Sequence, residues 1–318
     1  MIHKRGLMLL LSLLLVLSAA GCGAAKPPET ADTDCLQVVT TIFPPYDFVR
    51  AIAGDTDISL TMLLKPGMES HSYEPSPSDI LAIQESDIFI YNGGESDVWI
   101  DHILDAIDTQ HTHCLRMMDC VEVLEEEGVN GEHTHEHEHT DEEEYDEHIW
   151  TSPRNAVQIV RAISELMIQL SPENAAHYRS STEDYILELN MLDDALREVT
   201  ETAERNTLIF GDRFPFRYLA DAYHLEYGAA FPGCSSESEP SAETVASLID
   251  RVKQEGVPYV LYLEFSTHNI ADTIAEETGT KTAMLHSCHN VSRSEMESGA
   301  TYLNLMYANC EVLREALN

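Results

Sequence analysis

The sequence predicts an α/β protein of two similar parallel-sheet lobes joined by one long rigid helix, with a site in the cleft between them. Short β-branched runs alternate with helix-period segments from Leu36 to Met118, and again from Leu208 to Leu317. Between these regions the pattern is helical alone. The length of 318 residues, once a targeting segment is set aside, suits two domains of roughly 150 residues each. Ligands of open α/β sheets sit beyond the carboxyl ends of the strands, and this places the expected site.

Residues 1–21 read as a secretory signal. Met1 to Arg5 carries His, Lys and Arg, and the apolar run Leu7 to Leu17 is too short to cross a bilayer core of ~30 Å as a helix. Ala19-Ala20-Gly21 before Cys22 resembles a bacterial lipobox. That resemblance implies lipidation at Cys22 and a flexible stalk over residues 22–34, with cleavage and free secretion as the alternative.

The N-terminal lobe is expected over residues 35–152. Leu36 to Ile42 is a strand that Phe43-Pro44-Pro45 ends, and a helix follows from Tyr46 to Ala53, stopping at Gly54. Ile58 to Leu64 is a second strand, and Lys65-Pro66-Gly67 turns out of it into a polar loop. A helix from Ser78-Asp79 to Glu85, a strand Asp87–Tyr91, a helix Asp97–Ile107 and a strand Cys114–Met118 complete the lobe, with a His-rich loop over 131–147.

Linking helices are expected over 153–205. Val157, Val160, Ile163, Leu166, Met167 and Leu170 form one helical face, and a second helix of about 33 residues runs from Ser171-Pro172-Glu173 toward Arg205, ~50 Å at 1.5 Å per residue. The C-terminal lobe, 206–318, alternates strands at Leu208–Phe210, Glu226–Ala230, Tyr259–Leu263 and Lys281–Leu285 with helices at Phe214–Tyr223, Ser241–Glu255, Ile270–Thr278 and Glu295–Leu317.

The formal charge of −38, from 56 acidic against 18 basic residues, excludes nucleic acid, whose phosphates demand Lys/Arg patches. Cations fit better, although plain solubility accounts for most of the carboxylates. Six cysteines follow Cys22, an even number that permits disulfides in an exported chain. No CxxC occurs, which argues against a ribbon-type thiolate zinc site.

Residues Gly131 to Pro153 hold five of the fifteen histidines among carboxylates. His133, His135, His137 and His139 alternate with Thr and Glu in a run too polar to bury, suited to gathering metal weakly from a mobile loop. His148 stands apart: Ile149, Trp150 and the Ser152-Pro153 helix start follow it, so it sits at the foot of an ordered helix. His71 lies in the loop after the second strand, Glu264 just past Tyr259–Leu263, and His286 and His289 just past Lys281–Leu285. A lone loop histidine is usually an ordinary surface residue; this set occupies equivalent strand ends.

PGMESHSYEPSPSD around His71, DEHIWTSP around His148, and ADTIAEETGTKTAML with Glu264 upstream give the chain a family resemblance. It resembles the solute-binding proteins of ABC transporters for zinc and manganese, the group with a rigid helix between lobes, over nearly the whole mature chain. The acidic His-rich run is similar to the insertion of the zinc-specific members. The resemblance implies that His71 and His148 are metal ligands and that Glu264 adds an oxygen from the second lobe. It also implies a monomer that captures Zn²⁺ at the extracytoplasmic face of a bacterial cell membrane, tethered by lipid, and delivers it to an ABC permease driven by an ATPase, with no catalysis. Mn²⁺ is the rival cargo, and a zinc-binding adhesin the rival function. A secreted zinc hydrolase is disfavoured because the presumed ligands are spread over both lobes.

The chain departs from this family in one place. In FGDRFPFRYLADAY, Arg213 stands where such proteins carry a third histidine, and a guanidinium stays protonated. The segment LHSCHN offers His286 or His289 as the replacement, with Asp212 next; Arg213 would pair with Asp212 or Glu264, or lie beyond the cleft. Cys234 and Cys288 both fall in loops leaving strands of the second lobe. Their placement suggests a disulfide bracing the His286–His289 loop, with bare thiols or a Cys ligand as competing readings.

Overall fold

The computed structural model describes residues 35–68, 73–107, 111–128, 145–235 and 239–318. The expectations placed on the signal, the stalk and Cys22, on His71, and on His133, His135, His137 and His139 lie outside the described residues.

In the first lobe, strands β1 (Leu36–Thr40), β2 (Ile58–Met62), β3 (Ile88–Tyr91) and β4 (His113–Arg116) form a parallel sheet of order β2-β1-β3-β4. Its helices are α1 (Phe43–Ala53), α2 (Pro77–Glu85) and α3 (Val98–Leu104). Pro44-Pro45 does not end β1 and wait for a helix at Tyr46. It opens α1, because proline in a first helical turn lacks only an N–H that has no intrahelical partner.

Helices α4 (Pro153–Leu170) and α5 (Ala175–Glu201) connect the lobes. The long helix is shorter than its pattern suggested. Pro172–Asn174 forms a separate 3-10 turn, leaving 27 residues in α5, about 40 Å at 1.5 Å per residue. Tyr178, Leu189, Leu192, Leu196 and Val199 bury one stripe of it.

The second lobe repeats the plan with β5 (Thr207–Arg213), α6 (Arg217–Tyr223), β6 (Glu226–Phe231), α7 (Ala242–Glu255), β7 (Tyr259–Tyr262), α8 (Asn269–Thr278) and β8 (Lys281–Met284), in sheet order β6-β5-β7-β8, all parallel. The expected last helix is two: α9 (Arg293–Glu297) and α10 (Tyr302–Ala316). Gly299, at φ +76°, ends the first, and the Thr301 side chain caps the second.

Period-two burial explains the packing. Val38, Ile88, Ile90, Leu208 and Phe210 face a large shared core with Phe48, Leu189 and Tyr302, whereas Val39 and Phe89 face a smaller cluster outside the first sheet, and Ile209 one outside the second. Gly211 sits where helix α8 meets β5: a Cβ there would lie 2.4 Å from the Ala271 Cα and backbone nitrogen. Gly211→Ala is therefore expected to lower unfolding stability by about 1–3 kcal/mol, read as a lower denaturant midpoint, because backbone on both sides must move.

The loop after β8 ties the lobes together. Its Asn290 Nδ2 donates to the carbonyls of Lys65 and Met68, at 2.9 Å each, and the Gly67 N–H donates to Val291 O at 2.8 Å. The Phe43 N–H, an orphan donor at the start of α1, donates to His289 O at 3.2 Å, and Trp150 Nε1 donates to Ser287 O at 2.8 Å. The segment carrying His286 and His289 is thus held against the first lobe by backbone groups.

Candidate metal site

A cavity of about 80 Å³ opens between the lobes, lined by His148, Asp212, Arg213, Glu264 and His289 among others. Its donors come from strand ends and the turns beyond them, so both sheets aim their carboxyl ends at it.

His148 is 1% exposed. Its backbone N–H donates to Asp146 Oδ1 at 2.8 Å, and its Nδ1 lies 3.2 Å from the same oxygen. A proton on Nδ1 directed at Asp146 leaves the Nε2 lone pair for an ion, the usual way a carboxylate orients a metal-binding histidine. Tyr218 of α6 holds this segment from the second lobe, its hydroxyl donating to Asp146 O at 2.7 Å. Gly233 admits the approach: a Cβ there would be 3.1 Å from Asp146 Oδ2 and 2.8 Å from Phe214 O.

The His289 ring centre lies 5.7 Å from that of His148, the rings nearly perpendicular, and 4.9 Å from Trp150. An ion ~2.0–2.1 Å from one nitrogen of each ring would set the ring centres about 5 Å apart, so a small side-chain turn closes the pair on one ion. His286 is placed elsewhere. It does not line the cavity: it is 3% exposed, its Nδ1 accepts from the Cys288 N–H at 2.9 Å and lies 3.7 Å from Glu264 Oε1, and its Nε2 lies 3.6 Å from Glu295 Oε1.

Asp212 and Glu264 both reach the cavity with oxygens already engaged. Asp212 accepts from the N–H groups of Arg213 (2.9 Å) and Leu263 (3.1 Å). Glu264 accepts from the Ser287 N–H at 2.8 Å and from the Ser287 hydroxyl, bracing the turn before His289. Arg213 lines the cavity and donates from Nε to Ser235 O, and its backbone N–H donates to Asp212.

The expected Cys234–Cys288 disulfide is not formed; both are free thiols. Cys288 is fully buried in the shared core, its Sγ 3.7 Å from His286 O, while Cys234 belongs to the group around Asp146 and His148. The two side chains leave the same lobe in different directions, which their positions in loops could not reveal.

Charge around His148 is one-sided. Burial pushes its proton affinity down, but Asp146, Glu147 and Glu126 outweigh that and raise its pKa above the ordinary imidazole value. Burial likewise raises Glu147 and Glu126, and lifts Asp97, beside Glu147, to about 7. Sequence reasoning missed Asp146 and Trp150 as parts of this site; the signal was Asp146 two residues before His148 in DEH.

A family model described as ZnuA, zinc-uptake complex component A, periplasmic, matches residues 38–316. The chain is 31% identical over 312 residues to the high-affinity zinc uptake system protein ZnuA of Bacillus subtilis, covering 98% of this chain and 97% of that protein. It is 30% identical to the zinc-binding lipoprotein AdcA of Streptococcus pneumoniae, across 96% of this chain and 60% of that longer protein. The Zn(II)-bound ZnuA-like domain of Streptococcus pneumoniae AdcA superposes with a TM-score of 0.74 at 28% identity, covering 89% of this chain and 99% of that domain.

Proposed function

Because the chain belongs to the family of periplasmic zinc-uptake complex components, we propose that it is the solute-binding part of a zinc importer. It captures Zn²⁺ in the interlobe cleft for a membrane permease and its ATPase. One observation carries the reading: His148, from the foot of the linking helices, and His289, from the second lobe, face one cavity beside Asp212 and Glu264. Paired neutral imidazoles suit zinc over manganese, which prefers oxygen donors.

His289 takes the place of the histidine that Arg213 displaces, and the family resemblance supplies His71 as a further ligand. Asp212 or Glu264 completes the set, and the cargo ion requires no catalytic step. Lipidation at Cys22 would hold a monomer at the membrane, a reading supported by the lipobox-like Ala19-Ala20-Gly21 and by a relative named a lipoprotein.

Zinc must displace a proton from His148. In the empty protein that proton is held to higher pH than on a free imidazole, whose ordinary value is 6.5, so affinity is full above the raised pKa and falls as pH drops through it. Calorimetry in buffers of different ionisation heat should show proton release on binding, and an affinity loss that begins above pH 6.5 on acidification. A pH-independent affinity between pH ~5 and ~8, where imidazoles titrate, would contradict ligation by His148.

A further inference from the structure

Behind the cleft cavity lies a second set of donors. Among the described residues, Asp146, His148 and Cys234 bring a carboxylate oxygen, an imidazole nitrogen and a thiol sulfur within 4.8 Å of one another. Asp146 and His148 are buried, and Cys234 is half-buried next to Gly233, which lines the cleft. We propose that these three side chains form a second coordination site, selective for thiophilic ions such as Cd²⁺, Cu⁺ or excess Zn²⁺, sharing His148 and its orienting partner Asp146 with the cleft site.

The donor set supports this assignment. Thiolate with imidazole selects soft and borderline ions, whereas the cleft offers imidazole and carboxylate without a thiol. The Cys234 N–H donates to Glu126 at 2.9 Å, which anchors the thiol beside Asp146 and His148. Burial and the carboxylates of Glu147, Asp146 and Glu126 raise the thiol's pKa, so its proton leaves only as an ion takes its place. Three donors leave a fourth position for water, as in an open tetrahedral site.

Binding exchanges protons for the ion in a balanced way. The sulfur–metal bond replaces the Cys234 S–H bond, and that proton leaves to solvent. The Asp146 carboxylate coordinates as the anion, and His148 gives up its proton where it carries one. Glu126 and Glu147, which both interact with Asp146 and His148, would then face the ion. Because His148 is shared, an ion held here competes with cleft loading.

Cobalt(II) is the probe. The full-length reduced protein titrated with Co²⁺ under argon is expected to develop a near-ultraviolet sulfur-to-cobalt charge-transfer band, and Cys234→Ser should abolish it while the visible ligand-field bands of cleft-bound Co²⁺ persist. No charge-transfer band in the wild type, or a band that survives Cys234→Ser, overturns the proposal. Visible bands without a charge-transfer band reject this site and leave the cleft reading standing. Absence of both rejects both. Should Cys234→Ser fail to fold, alkylation mapping of the wild type decides: Cd²⁺ should protect Cys234, and an unchanged alkylation rate overturns the site.

Discussion

His148→Ala is expected to abolish tight zinc binding, raising the dissociation constant by more than the ~10–100-fold that losing a ligand's orienting partner costs. The side chain is 1% exposed, with Nδ1 3.2 Å from Asp146 Oδ1, an oxygen that also accepts the His148 backbone N–H, so neither water nor a neighbour can readily take its place. Asp146 would keep the backbone N–H of residue 148 but lose its imidazole partner, and a buried hydrogen bond lost costs about 0.5–1.5 kcal/mol. The empty variant should therefore melt lower than the empty wild type as well as bind zinc weakly. Asp146→Asn separates the two effects. It keeps His148 but weakens its orientation, so it should fall between the wild type and His148→Ala in zinc calorimetry. Wild-type affinity in His148→Ala would remove the cleft from consideration.

The second large effect divides the two histidines of LHSCHN. His289→Ala should raise the zinc dissociation constant on the scale of His148→Ala, because its ring shares the cavity with that of His148. His286→Ala should leave zinc affinity within the roughly threefold spread of a neutral change, about 0.6 kcal/mol at RT of 0.59. It should instead reduce stability. His286 is buried, and its Nδ1 accepts the Cys288 N–H, which would be orphaned at a cost of about 1–3 kcal/mol. Affinity from calorimetry and stability from denaturant unfolding, measured on both variants, should give opposite profiles. If His286→Ala loses zinc and His289→Ala does not, the assignment is reversed.

Much of this fold was legible because parallel strands buried on both faces read as short β-branched and apolar runs. Leu36–Thr40 and Tyr259–Tyr262 fall within their expected segments. Boundaries drifted where local capping competes with pattern. Pro44 and Pro45 begin a helix, Pro172 tightens into a 3-10 turn, and Gly299 splits the last helix. His148 was legible from its place before a helix start. The choice between His286 and His289 was not, because it depends on Cys288, whose φ of +61° turns the chain between them and sends one ring inward and the other to the cleft. The disulfide expectation failed for the same reason: a loop position says nothing of where a side chain points. Asp146 was passed over because a carboxylate in an acidic run looks like solvated surface until it is found 2% exposed under an imidazole.

The interlobe ties bear on the transport cycle. Asn290 and Trp150 fix the His289 turn to the first lobe through backbone carbonyls, so the ligands from both lobes are preset before zinc arrives. Preorganisation of this kind favours affinity, since little side-chain ordering is left to oppose binding.

The most direct test of the account is a crystal structure of the zinc-loaded protein with anomalous data collected across the zinc edge. The account predicts a zinc peak in the cleft within about 2.0–2.1 Å of one nitrogen of His148 and one of His289. A cleft zinc that leaves His289 uncoordinated, or one bound through His286, would contradict it.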